Sequence, residues 1–242
     1  MINWKGLMSW KDDIKNIDWQ EVLLTSSGSY LPGLKKEVQE LLKEEELKGG
    51  SGRPGKFISY AVGSKLIKNA SLRAGAVGGL TCLPATLPLI GSIGTVLLGS
   101  AVDLVVMLRM QVELCFAMSV AYGVEMSEDE LKAVTLAILG FSGSAEAVKA
   151  ATAGALRRTV DELAVYYMKA GLARATTEVA ERLIPRLLRS AYRIIPFLSI
   201  PLGASINITS TMMVGNQARK YFNTWMDDGQ HETGKGFHIE TE

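Results

Sequence analysis

Two polar side chains stand in the most apolar parts of this 242-residue chain, each four residues behind a glycine: Asp103 in Gly99-Ser-Ala-Val-Asp103 and Asn207 in Gly203-Ala-Ser-Ile-Asn207. Asp103 is flanked by Leu98, Val102, Val105 and Val106. An unpaired carboxylate in such surroundings costs several kcal/mol or keeps its proton. Its simplest partner is the amide of Asn207 on a facing helix; the alternative is contact with a lipid headgroup or an ion. Arg109 follows six residues after Asp103, off the i,i+4 row that would pair the two. Asp103, Arg109 and Asn207 are the set on which a hydrolase of lipid or peptide would have to be built.

The remaining catalytic inventory is poor. Asp103 and Glu113 lie roughly 15 Å apart along a helix at its ordinary rise, too far for the paired carboxylates of a glycosidase. His231 and His238 are the only histidines and both fall near the C-terminal end, which removes Ser-His-Asp and Cys-His arrangements and most zinc sites from the core. Gly50-Ser-Gly-Arg-Pro-Gly55-Lys56 approaches a phosphate-binding loop, but Phe57 stands where the magnesium-binding hydroxyl belongs and Pro54 removes an amide from the cradle. Gly140-Phe-Ser-Gly143 lacks the spacing of a nucleophile elbow. No catalytic residue, metal site or cofactor is expected.

Composition narrows the partners. A hydrophobic content of 48% and mean hydropathy of +0.16 are oily for a soluble globule and well short of a polytopic transporter. A net charge of +1 supplies no basic field to hold nucleic acid. Cys82 and Cys115 both sit in apolar contexts, as in a reducing compartment. Met1-Ile-Asn-Trp-Lys5 does not open a secretory signal, so a cytoplasmic location is expected.

The elements that must position these residues read as helices throughout, because no strand-length alternation recurs between turn dipeptides. The organisation expected is an N-terminal helical arm over residues 1–48, a Gly/Pro linker over 49–55, a helical domain over 56–226 and a disordered tail over 227–242. Within the arm, residues 26–33 read as a loop. Within the domain, a helix over 57–72 is followed by a Gly-rich segment over 74–83. Ser127-Glu-Asp-Glu130 matches a capping box, Gly123 a helix C-cap, and Pro185 a kink or stop. The fold class is all-α: a multi-helix bundle with two Gly/Pro-rich apolar hairpins, one spanning residues 74–102 and the other opening at residue 194.

Residues 74–102 are long enough to cross a bilayer, for which about 20 suffice, yet they contain six glycines and two prolines. A hairpin buried in protein, or dipping into one leaflet, fits better than a simple span. Lys65, Lys68 and Arg73 precede the first apolar stretch, and Arg186, Arg189 and Arg193 precede the second; both clusters could meet anionic headgroups. Aligning the two glycines sets Asp103 on Asn207 and Glu113 on Gln217, as two related hairpins would.

These residues together resemble the EcsC family. The likeness runs through Pro88-Leu-Ile-Gly-Ser92, Gly99-Ser-Ala-Val-Asp103, Arg109, Gln111 and Ala121-Tyr-Gly123, then Pro201-Leu-Gly-Ala-Ser-Ile-Asn207, Val214-Gly215 and Ala218-Arg-Lys-Tyr-Phe222, within residues 56–225. The resemblance implies a cytoplasmic helical protein linked to membranes, in a family named for a gene beside an ABC transporter involved in secretion. It brings no catalytic residues. The expected function is a non-enzymatic accessory protein, peripheral at the cytoplasmic membrane, that binds anionic lipid or a membrane-protein partner. A lipid- or peptide-acting hydrolase and a structural oligomerisation module are the alternatives.

Overall fold

The computed structural model describes residues 18–49, 54–81, 93–142, 152–191 and 199–229. Among them are seven α-helices: α1 (Ser26–Gly49), α2 (Gly55–Thr81), α3 (Ile93–Ala121), α4 (Glu128–Ser142), α5 (Ala153–Ala170), α6 (Leu172–Ala191) and α7 (Ser199–Gly229). A π-helical turn, Glu21–Thr25, leads into α1. Asp18 Oδ1 accepts from the amides of Gln20 and Glu21 at 3.0 and 3.1 Å, satisfying donors that a helix start leaves free.

The bundle is organised around two helices. Helix α4 begins with charged residues, but its ten residues from Ala133 to Ser142 are all buried, as a helix segment enclosed by others must be. It packs on α5, α6, α7 and α3. Helix α7 runs along α2, its most extensive partner, and also touches α3, α5 and α4. Helix α3 lies against α2 as well. Among the described residues one window, Leu104–Ala121 in α3, is long and apolar enough to cross a bilayer. Two thirds of it (67%) is buried by neighbouring helices, which is how a core helix behaves.

Local signals set the ends. Ser127 Oγ accepts from the Glu130 amide at 3.3 Å while Glu130 Oε2 accepts from the Ser127 amide at 2.8 Å, the reciprocal box expected at the start of α4. Gly123 has φ +63° just after α3 and Gly171 has φ +87° after α5, conformations that glycine adopts without a β-carbon penalty. Thr152 caps α5 by accepting from the Ala155 amide at 3.2 Å.

Several boundaries differ from expectation. Residues 26–33 are the first turns of α1, not a loop, with Pro32 inside the helix. The proposed arm is seated on the body: Val38 is fully buried and Leu34, Leu41 and Leu42 pack on the core. Helix α2 continues through Ala74 to Thr81, so the glycines there do not break it. Helix α6 runs past Pro185 to Ala191. In α2, burial of Ala74, Gly75 and Gly78 against neighbouring helices outweighs the local preference. The expected hinge at Pro84 and Pro88, Arg193 and residues 230–242 of the expected 227–242 tail lie outside the described residues, whereas Asp227, Asp228 and Gly229 still belong to α7.

Candidate functional site

Helices α2 and α7 are antiparallel, as their contacts show in order. Gly63 lies by Arg219, Gly215 by Ile67, Gly75 by Ile208 and Gly79 by Ala204. The contact line runs over some sixteen residues of each helix, about 24 Å at 1.5 Å per residue. Glycine permits the approach. A β-carbon on Gly75 would stand 2.5 Å from Ile208 Cγ1, and one on Gly215 would stand 2.7 Å from Ile67 Cγ1 and 2.9 Å from Leu114 Cδ2. Small residues every fourth position (Ser71, Gly75, Gly79) form the ridge that lets the two backbones draw together.

Asn207 belongs to this interface. It is buried, and its Nδ2 donates to the Ala74 carbonyl at 3.3 Å. Asp103 lies on α3, with its side chain outside what is described. Arg109 is half-exposed and pairs with Glu113 one turn on, at 3.3 Å; it does not bond to Asn207. The residues that the glycine alignment equates also part company. Glu113 faces a shallow groove between α1, α2 and α3, whereas Gln217 accepts from Ser142 Oγ at 3.4 Å. Sequence reasoning passed over Gln111 as a site residue, yet it is buried and its Nε2 donates to Ser210 Oγ at 3.0 Å, joining α3 to α7. A polar residue on the apolar face of α3 was the signal available.

The basic edge of α2 is split three ways. Lys65 turns towards α1 and pairs with Glu45 at 2.5 Å. Arg73 lines the α1–α2–α3 groove. Lys68 faces the other way, into a groove between α2 and α7. Arg186 and Arg189 lie on α6 with side chains outside what is described.

That α2–α7 groove is lined by Ser64, Ile67, Ser71, Leu72, Ile208 and Met212, with Lys68, Asn216 and Arg219 at its margins. Leu72 is 56% exposed and Met212 45%. Of the seven large hydrophobic side chains exposed among the described residues, five lie on these two helices: Phe57, Tyr60, Leu72, Met212 and Met213. Arg219 is held in place from three sides. Its Nη1 donates to Ser64 Oγ at 3.0 Å, its Nη2 donates to Asn216 Oδ1 at 2.8 Å, and its guanidinium carbon lies 4.5 Å above the Tyr60 ring. No described carboxylate pairs with Arg219 or with Lys68.

Charge composition sharpens this. Helix α2 carries Lys56, Lys65, Lys68 and Arg73 and no acidic residue at all. Helix α7 carries Arg219 and Lys220, and its only acids, Asp227 and Asp228, come at the C-terminal end. A chain of net charge +1 thus concentrates cations beside its exposed apolar side chains. Beneath the groove Ser71 is 3% exposed, and its hydroxyl is one of six buried side-chain polar atoms among the described residues that have no hydrogen-bond partner.

Elsewhere the polar groups are structural. Tyr221 donates to Asp161 Oδ1 at 2.7 Å, Arg157 pairs with Asp161 Oδ2 at 3.6 Å, and the Arg157 guanidinium lies 4.7 Å from the Trp225 ring centre. Burial raises the Asp161 carboxyl above its ordinary range, against the opposing pull of Tyr221 and Arg157. Burial pushes the Cys115 thiol up to about 12, so it carries no thiolate at neutral pH. Among the described residues no three His, Cys, Asp or Glu side chains form a metal cluster.

Set against known proteins, residues 65–224 match the model of the EcsC protein family, two thirds of the chain and all of the groove except Ser64. No curated protein and no solved structure matches.

Proposed function

The chain belongs to the EcsC family, and from that premise we propose that it is a non-enzymatic helical accessory protein that docks peripherally on the cytoplasmic face of a membrane containing anionic lipid. The observation that carries this reading is the α2–α7 groove, which exposed Leu72 and Met212 line together with Lys68 and Arg219, while Phe57, Tyr60 and Met213 are exposed on the same two helices. Apolar side chains next to cations without carboxylate partners match the chemistry of a bilayer boundary, where acyl chains lie just below phosphate. Each cation near such a surface contributes about 1 kcal/mol, and several acting together give reversible binding that salt weakens.

Against an enzyme stand the dispersal of Arg109 and Asn207 to different surroundings and the protonated, buried Cys115. The test is flotation of the purified chain with vesicles of neutral phosphatidylcholine and with vesicles containing phosphatidylglycerol. Binding to the second, lost at high salt and in Lys68→Glu, is the expected result. A chain that stays in the soluble fraction with both compositions refutes the reading. A link to a transporter or another membrane protein predicts instead flotation with native membranes alone.

A further inference from the structure

Resting on that docking reading, we infer that the α2–α7 groove is a binding site for a single anionic phospholipid, which lays one acyl chain between Leu72 and Met212 and sets its phosphate at Lys68 and Arg219. A general electrostatic attraction requires only scattered charge. This surface has more: a groove whose lining is almost wholly apolar, with Lys68 and Arg219 among the residues that form it, and one cation fixed in orientation. Arg219 is tied to Ser64, Asn216 and Tyr60 before any ligand arrives, so little side-chain freedom is lost when it meets a phosphate. Lys68 stands one turn along α2 from Ser64, on the same margin.

Size and shape select the occupant. The void amounts to about 270 Å³, below the roughly 300–1,000 Å³ of enclosed sites for drug-sized molecules, and it is open along the helix pair. One alkyl chain fits such a trough, and Met212 adapts to it, since methionine follows irregular apolar shapes with little strain.

The experiment is calorimetric titration of the full chain with dodecyl phosphate kept below its micelle concentration. Inorganic phosphate and dodecyl maltoside serve as the two half-ligands, and the same preparation is used for flotation. The expected result is one site for dodecyl phosphate, weakened about tenfold in Lys68→Gln, which removes one hydrogen bond to a charged group. Neither half-ligand should bind comparably. Leu72→Asn, exposed and harmless to folding, should weaken the alkyl phosphate and leave the thermal melt unchanged. Equal binding of dodecyl maltoside overturns the inference in favour of an unselective apolar patch. Equal binding of inorganic phosphate overturns it in favour of a simple anion site. Flotation with anionic vesicles but no titration with dodecyl phosphate removes the single-lipid site and keeps the peripheral docking. Titration without flotation keeps the site and removes the docking.

Discussion

Gly75 on α2 and Ile208 on α7 approach so closely that a β-carbon on the glycine would lie 2.5 Å from Ile208 Cγ1 and 2.7 Å from its Cδ1. The Ala204 carbonyl oxygen lies 3.4 Å from the same point, so the backbone of α7 also stands close to it. The groove exists because these two helices are held at that separation.

Gly75→Ala should therefore lower stability, since overpacking costs about 1–3 kcal/mol and outweighs the roughly 1 kcal/mol that alanine contributes in a helix. Gly33→Ala on α1 meets no atom within 4 Å and should be neutral or stabilising by up to about 1 kcal/mol. Thermal melts of the two variants decide it, and a Gly75→Ala protein as stable as Gly33→Ala would mean that the helices are not so tightly apposed.

Asn207 and Arg109 differ in what they support. Asn207→Ala removes a buried bond to the Ala74 carbonyl and leaves a small void, a loss of about 1–3 kcal/mol. Arg109→Ala removes a half-exposed pair with Glu113, a change within about 0.5 kcal/mol. Denaturant unfolding separates them, and equal losses would contradict this assignment.

Asp161 should make stability depend on pH in a defined direction. Burial raises its carboxyl above 3.8 in the folded protein, so the native state takes up this proton more readily than the unfolded chain. Its contribution therefore grows as pH falls through the raised value and is complete below 3.8. Asp161→Asn keeps an acceptor for Tyr221 but has no proton to take up. As pH is lowered from 7, wild type should gain stability relative to Asp161→Asn, and a difference independent of pH would exclude the buried carboxyl as the cause.

The helical class was plain from the chain itself, as were the capping box at Ser127, the glycine stop at Gly123 and the family likeness. Each of these is written in a few neighbouring residues or in a periodic pattern. The oddness of Asn207 among aliphatics was legible too, because a lone amide in an apolar run needs a partner. The identity of its bond to the Ala74 carbonyl was not, since residues 133 positions apart meet only through packing.

The cationic cluster of α2 shows the same division. Four basic residues without an acid could be counted from the primary structure, but not which of them faces outwards. Seating α1 on the body takes Lys65 into a pair with Glu45, and laying α7 along α2 places Lys68 in the same groove as Arg219. A helix repeats every 3.6 residues, so its faces are already set along the chain. What each face meets depends on which helices lie beside it. That was decided by long-range burial, by two glycines narrow enough to admit a close neighbour, and by nothing within reach of local sequence.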